Sequence, residues 1–302
     1  MPQPARGARA ESKPLPRNAA EMVALGRDFL ARNGREEARL EAEHLVAHAM
    51  GCDRLRLYLA LERPVERGEI ERARELLVQR AQGVPVAYLT GVREFYGRPF
   101  QVGPGCLVPR PETELLIDLA REWAGLRAEE AAAPVVGEFG TGSGCLAVTL
   151  ALELEAQVHA SELSADALGW ARANGEKLGA AVDWIEADGL AALLQSAPEG
   201  FDLLVSNPPY IDPEQPAGLE PDVRAHEPAQ ALFSPAGDPD HWVRQLLERG
   251  APCLREGGEL LVELGLGQGE RVAQLARSHG LEAELRDDLA GIPRVLRCRR
   301  AL

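Results

Sequence analysis

Asn207, Pro208, Pro209 and Tyr210 directly follow an apolar run, FDLLVS, that suits a buried strand. Proline at 208 keeps Asn207 extended and Pro209 stiffens the next step, so the Asn207 side-chain oxygen and the Pro208 carbonyl become two fixed acceptors. Two such acceptors can take both N–H bonds of a planar amide or aryl amine, a poor nucleophile because its nitrogen lone pair is delocalised. Held this way, the nitrogen is eased toward tetrahedral geometry and its lone pair is aimed, while Tyr210 can stack on the planar group. Catalysis at such a site is positioning plus electrostatics, without a covalent intermediate or a strong base. The same residues also suit a plain proline-rich strand exit, where Asn and Pro are common turn formers.

A second constellation lies upstream, in Glu138-Phe-Gly140-Thr141-Gly142-Ser143-Gly144-Cys. Glycines there permit a tight turn and close approach of a ligand to the backbone, and the helix that follows offers free N–H groups. A dinucleotide fingerprint needs glycine at 145, where Cys145 stands, and a phosphate loop needs a Gly-Lys-Ser/Thr ending that is missing. What remains, acid-x-Gly-x-Gly-x-Gly, resembles the cofactor turn of S-adenosylmethionine-dependent methyltransferases. The next strand ends at Glu162, whose carboxylate can accept from both hydroxyls of a ribose, and the third at Asp188, which can accept from an adenine amino group. Either acid alone reads as a helix cap or a solvated loop residue. Three features at the ends of three consecutive strands point to a nucleoside-containing ligand, and the resemblance of the turn implies S-adenosyl-L-methionine as the cofactor.

The elements that must position these residues alternate. From 134 onward, PVVGEF, a helix from about 144, QVHASE, a helix over 165–178, AVDWIEAD and FDLLVS follow one another. After a long proline-rich, acidic loop over 212–238 come a helix from about 240 to 254, ELLVELG, another helix, and two extended segments, EAELRD and RVLRCRR. That order predicts βαβ units and an α/β fold with a doubly wound, mainly parallel sheet, which binds ligands beyond the carboxyl ends of its strands. Upstream, Asn18 caps a predicted helix over 19–33 that Gly34 ends, and a second runs from about 35 to 50 before Gly51. With RLRLYLAL and ERGEIERARELLVQRAQG these make a small all-helical domain, and VREFYGRPFQV reads as a β-hairpin around Gly97 and Arg98. The expected organisation is a mobile tail over 1–15, a helical substrate-recognition domain over 16–90, a hairpin linker over 91–110 and a catalytic domain over 111–302.

Composition narrows the partners. The chain has 302 residues, 45% hydrophobic and 26% charged, as an ordinary globular protein does. No run approaches the roughly 20 apolar residues of a membrane span, and MPQPARGARAESKPLPRN lacks the apolar core of a signal peptide, so a cytoplasmic location is expected. A formal charge of −14 without a basic patch disfavours direct nucleic-acid binding. Five scattered cysteines suit reduced thiols, and His44 and His48 lack the glutamate a zinc protease places after its first histidine, so no metal site is expected. Oligomeric state is not legible.

GVPVAYLTGVREFYG, LVPRPETELLID, GTGSG, VSNPPYI and DVRAHEPAQAL, in this order behind a small helical domain, resemble the release factor glutamine N5-methyltransferases. The similarity runs from about residue 20 to the C-terminus. It implies the class I methyltransferase fold and methylation of the side-chain amide of the glutamine in the Gly-Gly-Gln loop of peptide chain release factors, as protein substrate. By the same resemblance Asn207, Pro208, Pro209 and Tyr210 hold the substrate, with Asn207 also beside the cofactor. Gly140, Thr141, Gly142, Ser143, Gly144, Glu162 and Asp188 bind the cofactor, and Phe100 and the Arg110 to Glu114 segment border the site. Two departures stand out: Glu138 and Glu162 occupy positions where aspartate is commoner. The rival enzyme is a DNA adenine or RNA guanine amino-methyltransferase with the same four residues. A rival of another kind is a silent binding module that keeps the cofactor fold.

Overall fold

A computed structural model describes residues 15–127, 132–216 and 218–300. The tail expected over 1–15 lies outside them except for Leu15. The described residues divide into two units at Thr90/Gly91.

The first unit is helical: α1 (Ala19–Arg32), α2 (Ala38–Ala49), α3 (Arg54–Leu59), α4 (Arg67–Ala81) and α5 (Val86–Thr90). Asn18 caps α1 by accepting the Glu21 N–H at 3.0 Å, as its position before the apolar pattern predicts. Met22, Val46, Leu57 and Ala73 close one core cluster, and Leu30, Ala42, Leu45 and Leu77 another.

The second unit opens with the hairpin β1 (Val92–Phe95) and β2 (Arg98–Gln101). Its turn is Tyr96-Gly97, both at positive φ (49° and 70°), one position earlier than the sequence suggests. Both central residues at positive φ match the twist of the flanking strands. Phe95 and Phe100 of the hairpin are buried in this unit's core, ring to ring at 6.0 Å.

A 3-10 turn over Pro111–Thr113 leads into α6 (Glu114–Leu126). The Rossmann-like portion then runs β3 (Val135–Phe139), α7 (Cys145–Leu154), β4 (Gln157–Glu162), α8 (Ala165–Leu178), β5 (Val182–Glu186), α9 (Leu190–Ser196) and β6 (Phe201–Ser206). Beyond it come α10 (Pro221–His226), α11 (Ala229–Leu232), α12 (His241–Gln245) with a π turn over Leu246–Gly250, β7 (Leu254–Glu263), α13 (Gly269–Ser278), β8 (Leu281–Asp287) and β9 (Pro293–Arg300). Helices α9, α10 and α11 do not stand out in the sequence; α10 and α11 occupy what reads there as loop.

The seven strands order as β5-β4-β3-β6-β7-β9-β8, parallel except that β9 runs against both neighbours. Every residue of β6 is buried, which explains its unbroken apolar run. Leu203 and Val205 pack with α6 and α7 residues such as Ile117 and Leu146, whereas Phe201 and Leu204 pack with Leu193, Leu246 and Val272. Each such side chain contributes about 2 kcal/mol relative to exposure. The chain moves outward from β3 through β4 and β5, then returns to place β6 on the other side of β3. The strand order reverses between β3 and β6, and their last residues, Phe139 and Ser206, are register partners. That reversal is where sheets of this kind open a crevice.

Candidate active site

The crevice is lined by the turn after β3, the ends of β4 and β5, the exit of β6, the segment 105–113 and the start of α11. Gly140 and Gly142 take φ of 76° and 56°, and a side chain on either would point into open space. Glycine is required there by conformation, and the bare backbone faces the pocket. Gly144 is needed for a different reason: at φ 79° its Cβ would lie 3.0 Å from Ala171, so it lets α7 pack against α8 and does not line the pocket. Asn174 of α8, wholly buried, holds the turn in place. It accepts the Gln101 N–H at 2.7 Å and donates to the carbonyls of Gln101 and Ser143, both at 2.9 Å.

Glu138 is buried beneath this turn and accepts the Thr141 hydroxyl at 2.6 Å. Burial pushes its carboxyl up to about 7. Its longer side chain therefore serves the shape of the turn. Glu162 accepts the Gly142 N–H at 2.8 Å on one oxygen and the Ser164 N–H at 2.9 Å on the other. A carboxylate has about four acceptor sites, so one on each oxygen remains for the paired hydroxyls of a ribose. Asp188 is exposed at the pocket rim, next to Ala187 and Gly189. Leu163, 53% exposed beside Glu162, and Trp242, packed on Phe139 with ring centroids 5.0 Å apart, add apolar walls suited to an adenine. These residues fit S-adenosylmethionine: acceptors for a ribose, an acceptor and apolar faces for a base, and open glycine backbone between them.

Across the crevice, Asn207 and Pro209 line the pocket, whereas Pro208 is buried and Tyr210 lies outside the lining. Tyr210 packs on Gly265, where a Cβ would come within 2.7 Å of its ring. Burial raises its phenol to about 12, so the hydroxyl stays neutral. Asn207 donates from Nδ2 to the Thr113 hydroxyl at 3.1 Å, and Thr113 donates to Glu263 at 2.6 Å. Glu263, the last residue of β7, is buried, and burial raises its carboxyl to about 7. Cys106 and Cys145 also line the pocket. Burial lifts the first thiol to about 11 and the second further, so neither supplies a thiolate nucleophile at neutral pH.

The segment beyond Tyr210 is folded back. Ile211 and Phe233 form a parallel bridge, closing the intervening loop at its base. Pro228, Gln230 and Ala231 then reach the pocket. Glu227 anchors them, accepting the Arg110 guanidinium at 2.6 Å and the Val108 N–H at 3.0 Å. Of the residues expected to border the site, Arg110 and Thr113 do line it, while Phe100 is fully buried in the core. Glu263, Asn174 and Trp242 were not singled out from the sequence, and Glu227 only as part of DVRAHEPAQAL. Only the position of Glu263 at a strand end could have drawn attention to it.

This fold and crevice are those of the class I S-adenosylmethionine-dependent methyltransferases. Solved structures agree in fold: a methyltransferase from Pyrococcus furiosus (TM-score 0.50, 16% identity, 76% of this chain and 98% of that one) and the N-terminal domain of human METTL16 in complex with SAH (TM-score 0.52, 16% identity, 76% and 84%). Residues 21–91 match the family model of the PrmC N-terminal domain, and residues 126–219 that of the methyltransferase small domain. Among curated relatives, the release factor glutamine methyltransferase of Chlorobaculum tepidum is 41% identical over 89% of this chain and 93% of its own length. Those of Geobacter sulfurreducens and Cereibacter sphaeroides are 39% and 42% identical, over 89% and 93% of this chain. The chain belongs to the release factor glutamine methyltransferase family.

Proposed function

We propose that the protein transfers a methyl group from S-adenosylmethionine to the side-chain amide nitrogen, N5, of the glutamine in the Gly-Gly-Gln motif of peptide chain release factors, in the cytoplasm, and so tunes translation termination. The observation that carries this reading is the placement of Asn207. Its amide nitrogen is engaged by Thr113 while its side chain lines the same pocket as Glu162 and Asp188.

The cofactor supplies the electrophile, a methyl group on a sulfonium. Everything else is left to the chain. Asn207 Oδ1 and the Pro208 carbonyl accept the two N–H bonds of the glutamine amide, which fixes the plane of the amide and directs the nitrogen lone pair. Tyr210 and Pro209 flank the planar group. Glu162 and Asp188 hold the nucleoside from the far side of the crevice, and residues 228–231 exclude water. The helical unit α1–α5 grips the substrate protein. Its separate core and the exposure of Leu55, Tyr58 and Leu59 on α3 support that role.

Methyl transfer from labelled cofactor to a bacterial release factor tests the reading, with duplex DNA and structured RNA as competing acceptors. Label on the release factor, abolished when its Gly-Gly-Gln glutamine is replaced, is the expected result. Label on nucleic acid alone would move the assignment to the amino-methyltransferases of DNA or RNA.

A further inference from the structure

The geometry points to Thr113 and Glu263 as positioning residues that fix which face of the Asn207 carboxamide meets the substrate. The inference rests on the reading of Asn207 as the group that holds the glutamine amide.

Three elements meet here: the 3-10 turn that ends at Thr113, the exit of β6 at Asn207, and the end of β7 at Glu263. Thr113 and Glu263 are each only 3% exposed. A threonine hydroxyl carries one proton, and here it goes to a Glu263 carboxyl oxygen at 2.6 Å, which accepts when the acid is ionised and, as its carbonyl oxygen, when it is protonated. The hydroxyl can therefore only accept from Asn207, so the NH₂ end of the carboxamide turns toward Thr113. The oxygen is left on the opposite side as the free acceptor.

Without that relay the carboxamide could turn over and present two donors to a substrate amide that is itself a donor. Two sets of N–H bonds would face each other, and the nitrogen lone pair would lose its orientation. A carboxyl wholly removed from water costs stability unless something compensates it. Its neighbours are mixed: Arg110 and Arg294 favour the ionised form, Glu112 opposes it, and Tyr210 stays neutral. The relay gives this buried acid a task.

Thr113→Val keeps the shape of the side chain and removes the hydroxyl. It should lower turnover by about 10- to 100-fold, the scale of losing an outer contact that orients a reacting group, while cofactor affinity stays within about threefold. Thr113→Ser should bring turnover back to within about fivefold of the parent. A role in packing alone would not separate serine from valine in this way. Full turnover in Thr113→Val, or equal impairment in both variants, overturns the proposal while leaving the substrate assignment intact. A parent protein that methylates no glutamine overturns both.

Should Thr113→Val fail to bind cofactor, the polarity of the relay gives an independent test. Asn207→Asp sets two carboxylates competing for one hydroxyl proton. An aspartate has two acceptor oxygens in either background; what adding Glu263→Gln supplies is an N–H to the Thr113 oxygen, so the hydroxyl proton goes to residue 207 and fixes its orientation again. The double variant should exceed Asn207→Asp alone by at least about tenfold in turnover. A double variant no better than the single one overturns the proposal.

Discussion

Glu227 and Arg110, 117 positions apart in the chain, are joined by a bond of 2.6 Å that holds the end of α10 against the segment before α6. The carboxylate is almost wholly buried and also satisfies the Val108 N–H, whereas the guanidinium keeps about a third of its surface in water. Pro228, Gln230 and Ala231 reach the pocket from this anchor.

Removing the anchor should loosen that wall. Glu227→Ala leaves a buried N–H and a guanidinium unpaired, so the unfolding free energy should fall by about 3 kcal/mol. Cofactor affinity should weaken at least about fivefold as the wall opens. Chemical denaturation and calorimetric titration measure the two effects. An unchanged cofactor affinity would show that the segment closes without Glu227.

Glu162 and Asp188 should differ in how they fail. Glu162→Ala takes the acceptor from two backbone N–H groups as well as from the ribose in the proposed cofactor pose. Both cofactor affinity and the melting temperature should drop, the affinity by on the order of 100-fold. Asp188 is exposed and lines the pocket rim, so Asp188→Ala should weaken cofactor binding by about tenfold with little change in melting temperature. Calorimetry paired with thermal unfolding separates the two patterns, and identical behaviour would contradict the division of labour.

Buried acids make a pH signature. Burial raises both Glu138 and Glu263 from an ordinary value near 4.5 to about 7. A carboxyl raised on folding contributes stability in full below about 4.5, and that contribution is lost as pH rises through about 7. Glu138→Gln removes the ionisation. Relative to the parent, the variant should therefore gain on the order of 3 kcal/mol between pH 4.5 and pH 8, measured by denaturant unfolding across that range. A difference that stays flat with pH would mean that Glu138 is not kept protonated by folding.

Asn174 tests how the glycine turn is held. Asn174→Ala strands the Gln101 N–H and the Ser143 carbonyl, both of which it now satisfies. A loss of about 2 kcal/mol and a weakened cofactor site are expected, measured by unfolding and titration. Unchanged cofactor affinity would mean that the turn keeps its form without α8.

Much of this was legible in the sequence because local patterns decide it. QVHASE, helix 165–178 and FDLLVS fall where the sequence predicts, since β4 is buried over its four central residues, β6 over its whole length, and Ser164 caps α8. The ends of the strands and the residues just after them bring Gly140 to Ser143, Glu162, Asp188 and Asn207 around one crevice, although β5 ends at Glu186, two residues before Asp188, where the sequence predicts its end. Helices α10 and α11, of six and four residues, are too short for periodicity to show, and Pro221 and Pro228 resemble loop residues. The side chains that hold the site rigid were hidden for another reason. Thr113 meets Glu263 across 150 positions and Asn174 meets Gln101 across 73, and no local pattern links residues so far apart.

The most direct test of the central claim is to incubate the protein with S-adenosylmethionine and a bacterial release factor, then fragment the Gly-Gly-Gln peptide by mass spectrometry. The account predicts a single added methyl group on the side chain of that glutamine. An unmodified peptide, from a release factor that another enzyme can methylate and with cofactor binding verified, would contradict it.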